Sequence, residues 1–197
     1  MSSHHFVKEG QEPALFVLDA LPFAVAAPLL EWAPLVLVAE SALEHVQEWG
    51  IKIDVVLATP GQAQHAAQIL SEQTPVTIAE LSNGESFLTK GLSVLKHGGQ
   101  TAVNILSTGD DAFEEAAKFS PHLQICILQE SLKWSAIPSG PFEKWYPGGV
   151  RLHLRKSIPS QTFDLQGLDA ENELVVNHRA GLVSIRSGQF FWVGEEL

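Results

Sequence analysis

The chain has 197 residues, of which 45% are hydrophobic and 18% charged, so it is long and apolar enough for one large or two small packed domains of a soluble globular protein. Its net charge of −11 repels polyanions and argues against nonspecific nucleic-acid binding, which depends on neutralising phosphates with Lys and Arg. No apolar run reaches the roughly 20 residues of a bilayer span, and Met1–Phe6 lacks the basic-then-apolar pattern of a signal peptide, so no membrane and a cytoplasmic location are expected. Small ligands or protein partners remain. The charge is unevenly spread: residues 1–136 contain no arginine and carry six lysines against sixteen carboxylates, while Arg151, Arg155, Arg179 and Arg186 all lie in the last third.

After the terminal His4-His5, strand-length apolar runs alternate with helical patterns, the signature of a parallel sheet with crossover helices. The predicted strands are Leu15–Leu18, Leu35–Val38, Val55–Ala58, Val76–Ile78, Ala102–Leu106 and Ile125–Leu128. Ser41 and Glu44 have the spacing of a capping box, which predicts a helix from there to about Trp49 with Gly50 as its stop. Further helices are predicted over Gln62–Leu70, over Glu85–Lys96 with Gly98-Gly99 as an exit, and over Asp110–Phe119 before Pro121. Cys126 cannot form an internal disulfide and is read as a small buried residue of the sixth strand.

The rhythm changes at Ile137-Pro-Ser-Gly-Pro141, after which the pattern is all β. Val150, Leu152 and Leu154 alternate with Arg151, His153 and Arg155, which predicts a strand with one buried and one cationic face; Arg151, Arg155 and Lys156 there suit an anionic ligand or an acidic partner, or simply solvent. Leu182–Arg186 and Gln189–Val193 flank Ser187-Gly188 and predict a tight hairpin. The expected fold is therefore α/β plus all-β: residues 1–136 as a parallel-sheet domain of about six strands, then residues 137–197 as a small antiparallel β-sandwich. Neither Cys-x-x-Cys nor His-x-x-x-His spacing occurs, nor a Walker-type, dinucleotide-type or Gly-x-Ser-x-Gly loop.

This order of parts resembles the thiamine pyrophosphokinase family, which pairs an N-terminal α/β domain with a C-terminal β-sandwich, and the resemblance covers nearly the whole chain. Where that family runs from a strand into Asp-Gly-Gly/Ala-Ala-Asn, through a short helix to a glycine, then Pro-Asp, a strand and Gly-Asp-x-Asp-Ser, this chain has Leu35–Glu44, Gly50, Ile53-Asp54 and Val55–Gln62. Glu40 stands at the first motif's aspartate and Glu44 at its asparagine; Asp54 is kept. The aspartates that hold magnesium in the family fall on Thr59 and Gly61. The family's Thr-Asp-x-x-Lys falls on Ser86–Lys90, keeping Lys90 but replacing the aspartate with Phe87, and Ser107–Phe113 has neither the arginine nor the histidine of Gly-x-x-x-Arg-x-Asp-His. Lys144–Gly149 resembles the entry to the β-domain, and Val176-Asn177-His178 resembles its Ser-Asn-Glu segment.

The resemblance implies a homodimer through the β-domain and a thiamine-like ligand. Asn177, His178, Trp145 and Trp192 become candidate thiamine-binding residues, with Tyr146 beside them, because cationic heterocycles favour aromatic faces. Lys90 is the candidate nucleotide contact. Magnesium takes hard oxygen ligands, which leaves Glu40, Glu44, Asp54 and Asp110 as candidate metal ligands, Glu40 and Asp54 as candidate catalytic carboxylates, and Asp111 nearby; helix capping and solvated surface are the alternative roles of these carboxylates. Two functions follow. One is a family-like protein that has lost ATP-dependent diphosphoryl transfer and acts as a ligand-binding or partner protein. The other is an active ATP:thiamine diphosphotransferase with a relocated metal site, and only this one needs magnesium and ATP.

Overall fold

The computed structural model describes residues 12–129, 131–138, 140–171 and 174–197; His4, His5 and the N-terminal segment read above lie outside them. The chain divides into two compact units, one ending at Ile125 and the other beginning at Cys126. The break read after Ala136 lies inside the second unit.

In the first unit, β1 (Ala14–Val17), β2 (Val36–Ala39), β3 (Val55–Ala58), β4 (Thr77–Glu80) and β5 (Ala102–Leu106) form a parallel array in the order β5-β1-β2-β3-β4. Every residue of β1, β2 and β3 is buried. Burial on both faces explains why these strands read as continuous apolar runs rather than alternating ones. The edge strand β4 is more exposed.

Five helices accompany these strands: α1 (Phe23–Leu30), α2 (Leu43–Gln47), α3 (Ala63–Ile69), α4 (Phe87–His97) and α5 (Asp111–Ala117). The pattern reading missed α1, whose sequence Phe-Ala-Val-Ala-Ala-Pro-Leu-Leu is apolar all round and carries Pro28 inside it. Without a polar face there is no 3.6-residue period to detect, and an internal proline argues against a helix. The capping box is also corrected. Glu40–Ala42 is a 3-10 turn, α2 begins only at Leu43, and its N-cap Ala42 has no side-chain cap bond. Gly50 does end the segment in the left-handed region, at φ 65°.

The second unit is a β-sandwich. One sheet runs β11 (Asp169–Glu171), β12 (Leu174–Val176), β9 (Arg151–Lys156), β14 (Phe191–Glu196), β7 (Leu132–Ile137), β6 (Gln124–Gln129). The other runs β10 (Asp164–Gln166), β13 (Gly181–Arg186), β8 (Phe142–Tyr146), and all described pairings within the unit are antiparallel. Leu152, Val175, Phe191 and Val193 of the first sheet pack against Val183, Ile185 and Tyr146 of the second. Cys126 is half-buried rather than buried, with Sγ 3.6 Å from the hydroxyl of its cross-strand partner Ser135.

The predicted hairpin around Ser187-Gly188 does not form, because β13 pairs with β8 and β10 whereas β14 pairs with β7 and β9. Residues 187–190 carry the chain from one sheet to the other. Gln161, only 4% exposed, pins this corner: its Nε2 donates to Ser187 Oγ at 2.8 Å and to the carbonyls of Gln189 and Phe190, while its Oε1 accepts from Ser157 N. Strand alternation reads the same in a hairpin and a sheet-to-sheet crossover, so a short turn signal does not separate them.

Candidate functional site

In a parallel α/β array, ligands bind outside the carboxyl ends of the strands, where the strand order reverses. Here β1 lies between β2 and β5, so that place is the pair of loops after β1 and after β5. Asp19, just beyond β1, fills it. Its Oδ2 accepts from Ser107 Oγ at 2.9 Å, Thr108 N at 2.8 Å and Thr108 Oγ1 at 3.3 Å, and Gly109 N donates to Ser107 Oγ. Asp19 was not among the residues singled out from the sequence. The available signal was position alone: a carboxylate two residues past a buried parallel strand.

One strand further along, Glu40 follows β2 and Thr59 follows β3. Thr59 N donates to Glu40 Oε2 and Thr59 Oγ1 donates to Glu40 Oε1, both at 2.7 Å. A cleft of about 280 Å³ opens beside them, lined by Glu40, Ser41, Glu44, Thr59, Gln62 and His65 among others.

The four candidate metal ligands do not meet. Glu40 and Glu44 share this cleft. Asp54 sits at the amino end of β3, where Oδ2 accepts from Val36 N at 2.9 Å at the start of β2 and Oδ1 pairs with Lys52 at 2.6 Å, a contact that raises the Lys52 ammonium above its usual value. Val36 and Glu40 are four strand residues apart, or roughly 13 Å, so Asp54 and Glu40 mark opposite ends of the array. Asp110 stands at the N-terminal end of α5, four residues beyond β5, and β1 lies between β5 and β2. Among the described residues, no three His, Cys, Asp or Glu side chains converge as a metal site.

The segment Ser86–Lys90 makes bonds of its own. Ser86 caps α4 by accepting from Thr89 N at 3.0 Å, and the hydroxyls of Ser86 and Thr89 both donate to Glu115 of α5. Lys90 on α4 pairs with Glu85 at 3.7 Å. Hard carboxylate ligands around a common point and cations for phosphate are what magnesium and ATP require, and the residues at these strand ends do not fit them.

The candidate thiamine residues are likewise dispersed. Asn177 is 1% exposed and fully engaged: Oδ1 accepts from Val150 N at 2.8 Å, and Nδ2 donates to the carbonyls of Pro147 at 2.7 Å and Arg179 at 3.2 Å. Its neighbour His178 points to Asp169 at 3.5 Å and Glu171 at 3.7 Å on β11. Trp192 is buried beside Phe190, with ring centroids 5.4 Å apart. Trp145 is exposed on the outer face of the small sheet, directly across from exposed Leu182. Tyr146 hydrogen-bonds Glu195 at 2.7 Å in the same unit.

Among the described residues no helix is long and apolar enough to cross a membrane. No family model and no curated protein matches the sequence. Solved structures do match it. Thiamin pyrophosphokinase from Geobacillus thermodenitrificans superposes with a TM-score of 0.73 at 7% identity, covering 93% of this chain and 97% of that one. Thiamin pyrophosphokinase from Candida albicans gives 0.69 at 8% identity, covering 94% and 90%. The yeast enzyme gives 0.66 at 10% identity, covering 96% and 87%. With an α/β unit and a β-sandwich in the same order over almost the whole length, the chain has the thiamin pyrophosphokinase fold.

Proposed function

We propose that this chain keeps the thiamin pyrophosphokinase fold without ATP-dependent diphosphoryl transfer and acts as a ligand-binding or partner protein. One observation carries the reading: at both strand-end loops the chain's own carboxylates take the groups that would meet an anion. Asp19 holds Thr108 N–H and Glu40 holds Thr59 N–H. Diphosphoryl transfer leaves a protein little to do except position the reactants and neutralise charge, so filling these donors with carboxylates removes what the reaction needs.

The test is release of AMP and formation of thiamine diphosphate from purified protein given thiamine, ATP and magnesium. Neither product is expected. Equal amounts of both would overturn the reading. They would favour the second one, an active diphosphotransferase with a relocated site, whose support is the shared cleft of Glu40 and Glu44. In that case Glu40→Ala abolishes AMP release and leaves the fold intact.

We further infer a homodimer through the β-sandwich and a cytoplasmic location. The cross-strand pair Trp145 and Leu182, each about two-thirds exposed, supports the dimer because large apolar side chains placed together in water mark association surfaces. Sedimentation of the wild type against Trp145→Ser tests it; a monomeric wild type removes it. A single cysteine and therefore no internal disulfide supports the location.

A further inference from the structure

No residue of α1 is polar, yet Ala26 is its one buried residue. The exposure follows the helix period. Phe23, Ala27 and Glu31 form one ridge at four-residue spacing and Ala24, Pro28 and Trp32 the next; all are exposed except the half-buried Ala27. The opposite side, Val25, Leu29 and Leu30 with Ala26, is half-buried or buried. Glu31 is thus the only polar side chain on an outer face that carries two large rings, Trp32 at 64% and Phe23 at 45% exposure. Large apolar side chains grouped in water mark association surfaces.

Both ends of this face are held in place. The Phe23 ring lies 5.6 Å from Trp49, which meets His45 edge to face at 5.5 Å, and His45 Nε2 donates to the Leu21 carbonyl at 2.8 Å. Phe23 therefore has little rotamer freedom to lose on binding. After Trp32, Ala33 closes the helix at φ 50°, in the left-handed region that residues other than glycine rarely adopt, with its N–H on the Leu30 carbonyl at 3.1 Å. Strain of this kind collects at functional positions. Between the two rings stand the small side chains of Ala24 and Ala27, which leave room for a second helix to approach. Pro28 has no N–H to give to the Ala24 carbonyl, so this acceptor is left for a donor from outside.

Charge selects the occupant. Residues 12–51, which run from before β1 to beyond α2, hold six carboxylates and neither lysine nor arginine. A second copy of the chain would bring two such stretches face to face, and an anionic bilayer is repelled in the same way. A protein that carries Lys or Arg beside its apolar side chains meets the opposite sign instead, and it brings donors for Glu31 and the Ala24 carbonyl.

We propose that the outer face of α1 docks a basic amphipathic helix of another protein, with that helix's apolar side chains between Phe23 and Trp32 and its cations at Glu31 and the Ala24 carbonyl. The inference deepens the partner-protein reading above and rests on it.

The test adds labelled synthetic peptides to the full chain and reads binding by fluorescence anisotropy. A Leu/Lys peptide with leucine at helical spacing is expected to fill one saturable site per chain. A Leu/Glu peptide of the same pattern and a Ser/Lys peptide of the same charge are each expected to bind at least about tenfold more weakly. Trp32→Ser and Phe23→Ser are each expected to weaken the Leu/Lys peptide about tenfold, the worth of an aromatic anchor. Ile158→Ser, at an exposed apolar residue of the other unit, is expected to leave it unchanged. The proposal is overturned if no saturable site appears, if either control peptide binds as well, or if Trp32→Ser binds normally. It also falls if the wild type sediments as an oligomer, or with phosphatidylcholine vesicles, and Trp32→Ser abolishes that, since the occupant is then a second copy or a bilayer. AMP release measured on the same samples separates the two readings: activity with the expected peptide pattern refutes loss of transfer but not the docking face, whereas inactivity without that pattern refutes the docking face alone.

Discussion

Glu40 and Thr59 close on each other end to end, one threonine giving both its backbone N–H and its hydroxyl to the two oxygens of one carboxylate at 2.7 Å. This bridge joins the loops after β2 and β3 and occupies a carboxylate that a metal site would need. Thr59→Val removes the hydroxyl half and is expected to lower stability by about 1 kcal/mol, the usual net worth of such a bond or slightly more for an ionised acceptor. Urea unfolding measures it. An unchanged midpoint would mean that Glu40 is free to do other work.

Asn177 looks like a ligand residue by its place in the sequence and like a clip by its bonds. It satisfies Val150 N–H and two carbonyls while almost wholly buried. Asn177→Ala is expected to cost about 2–3 kcal/mol by stranding those backbone groups. Comparing urea stability with calorimetric thiamine binding for the same variant decides its role: normal stability with selectively weakened thiamine binding would make Asn177 a ligand contact after all.

Gly91 of α4 lies against side chains of β1 and β2. A Cβ there would fall 2.5 Å from Phe16 Cζ and 2.8 Å from Leu37 Cδ2, both in the buried core. Gly91→Ala is therefore expected to destabilise the first unit by about 1–3 kcal/mol, the range for overpacking a filled core. Combining it with Phe16→Leu should recover part of the loss. Thermal unfolding of the two single variants and the double variant gives the coupling directly.

The Tyr146 hydroxyl is held well above its ordinary value, first by burial, then by its hydrogen bond to Glu195 and the charge of that carboxylate. The folded state therefore keeps a proton that the unfolded chain gives up near pH 10. The resulting stabilisation is fully present below about pH 10 and lost progressively as pH rises above it. Tyr146→Phe, which lacks the hydroxyl bond to Glu195 at every pH, should lower stability near neutrality and flatten that alkaline slope. Urea midpoints measured from pH 8 to pH 11 check it, and identical slopes in the two proteins would exclude Tyr146 as the group responsible.

Much of the fold was legible because it rests on local patterns. All six apolar runs became strands, and β1, β2 and β3 are apolar throughout because both of their faces are covered. The changes at α1 and at Ser187-Gly188 were not legible. A helix apolar on every side has no period, and a crossover has the same alternation as a hairpin.

At the candidate site, sequence by itself determined which residue types stand at the strand ends: Glu40 after β2, Thr59 and Gly61 after β3, and no arginine before Arg151. Only the tertiary structure decided what the remaining carboxylates do. It set Asp54 at the far end of β3, turned Glu40 to Thr59, and brought Asp19 across 89 residues to Thr108. Residue order specifies position along a strand, but the partner of a carboxylate is chosen by which strand ends the sheet places side by side, and that is a property of packing.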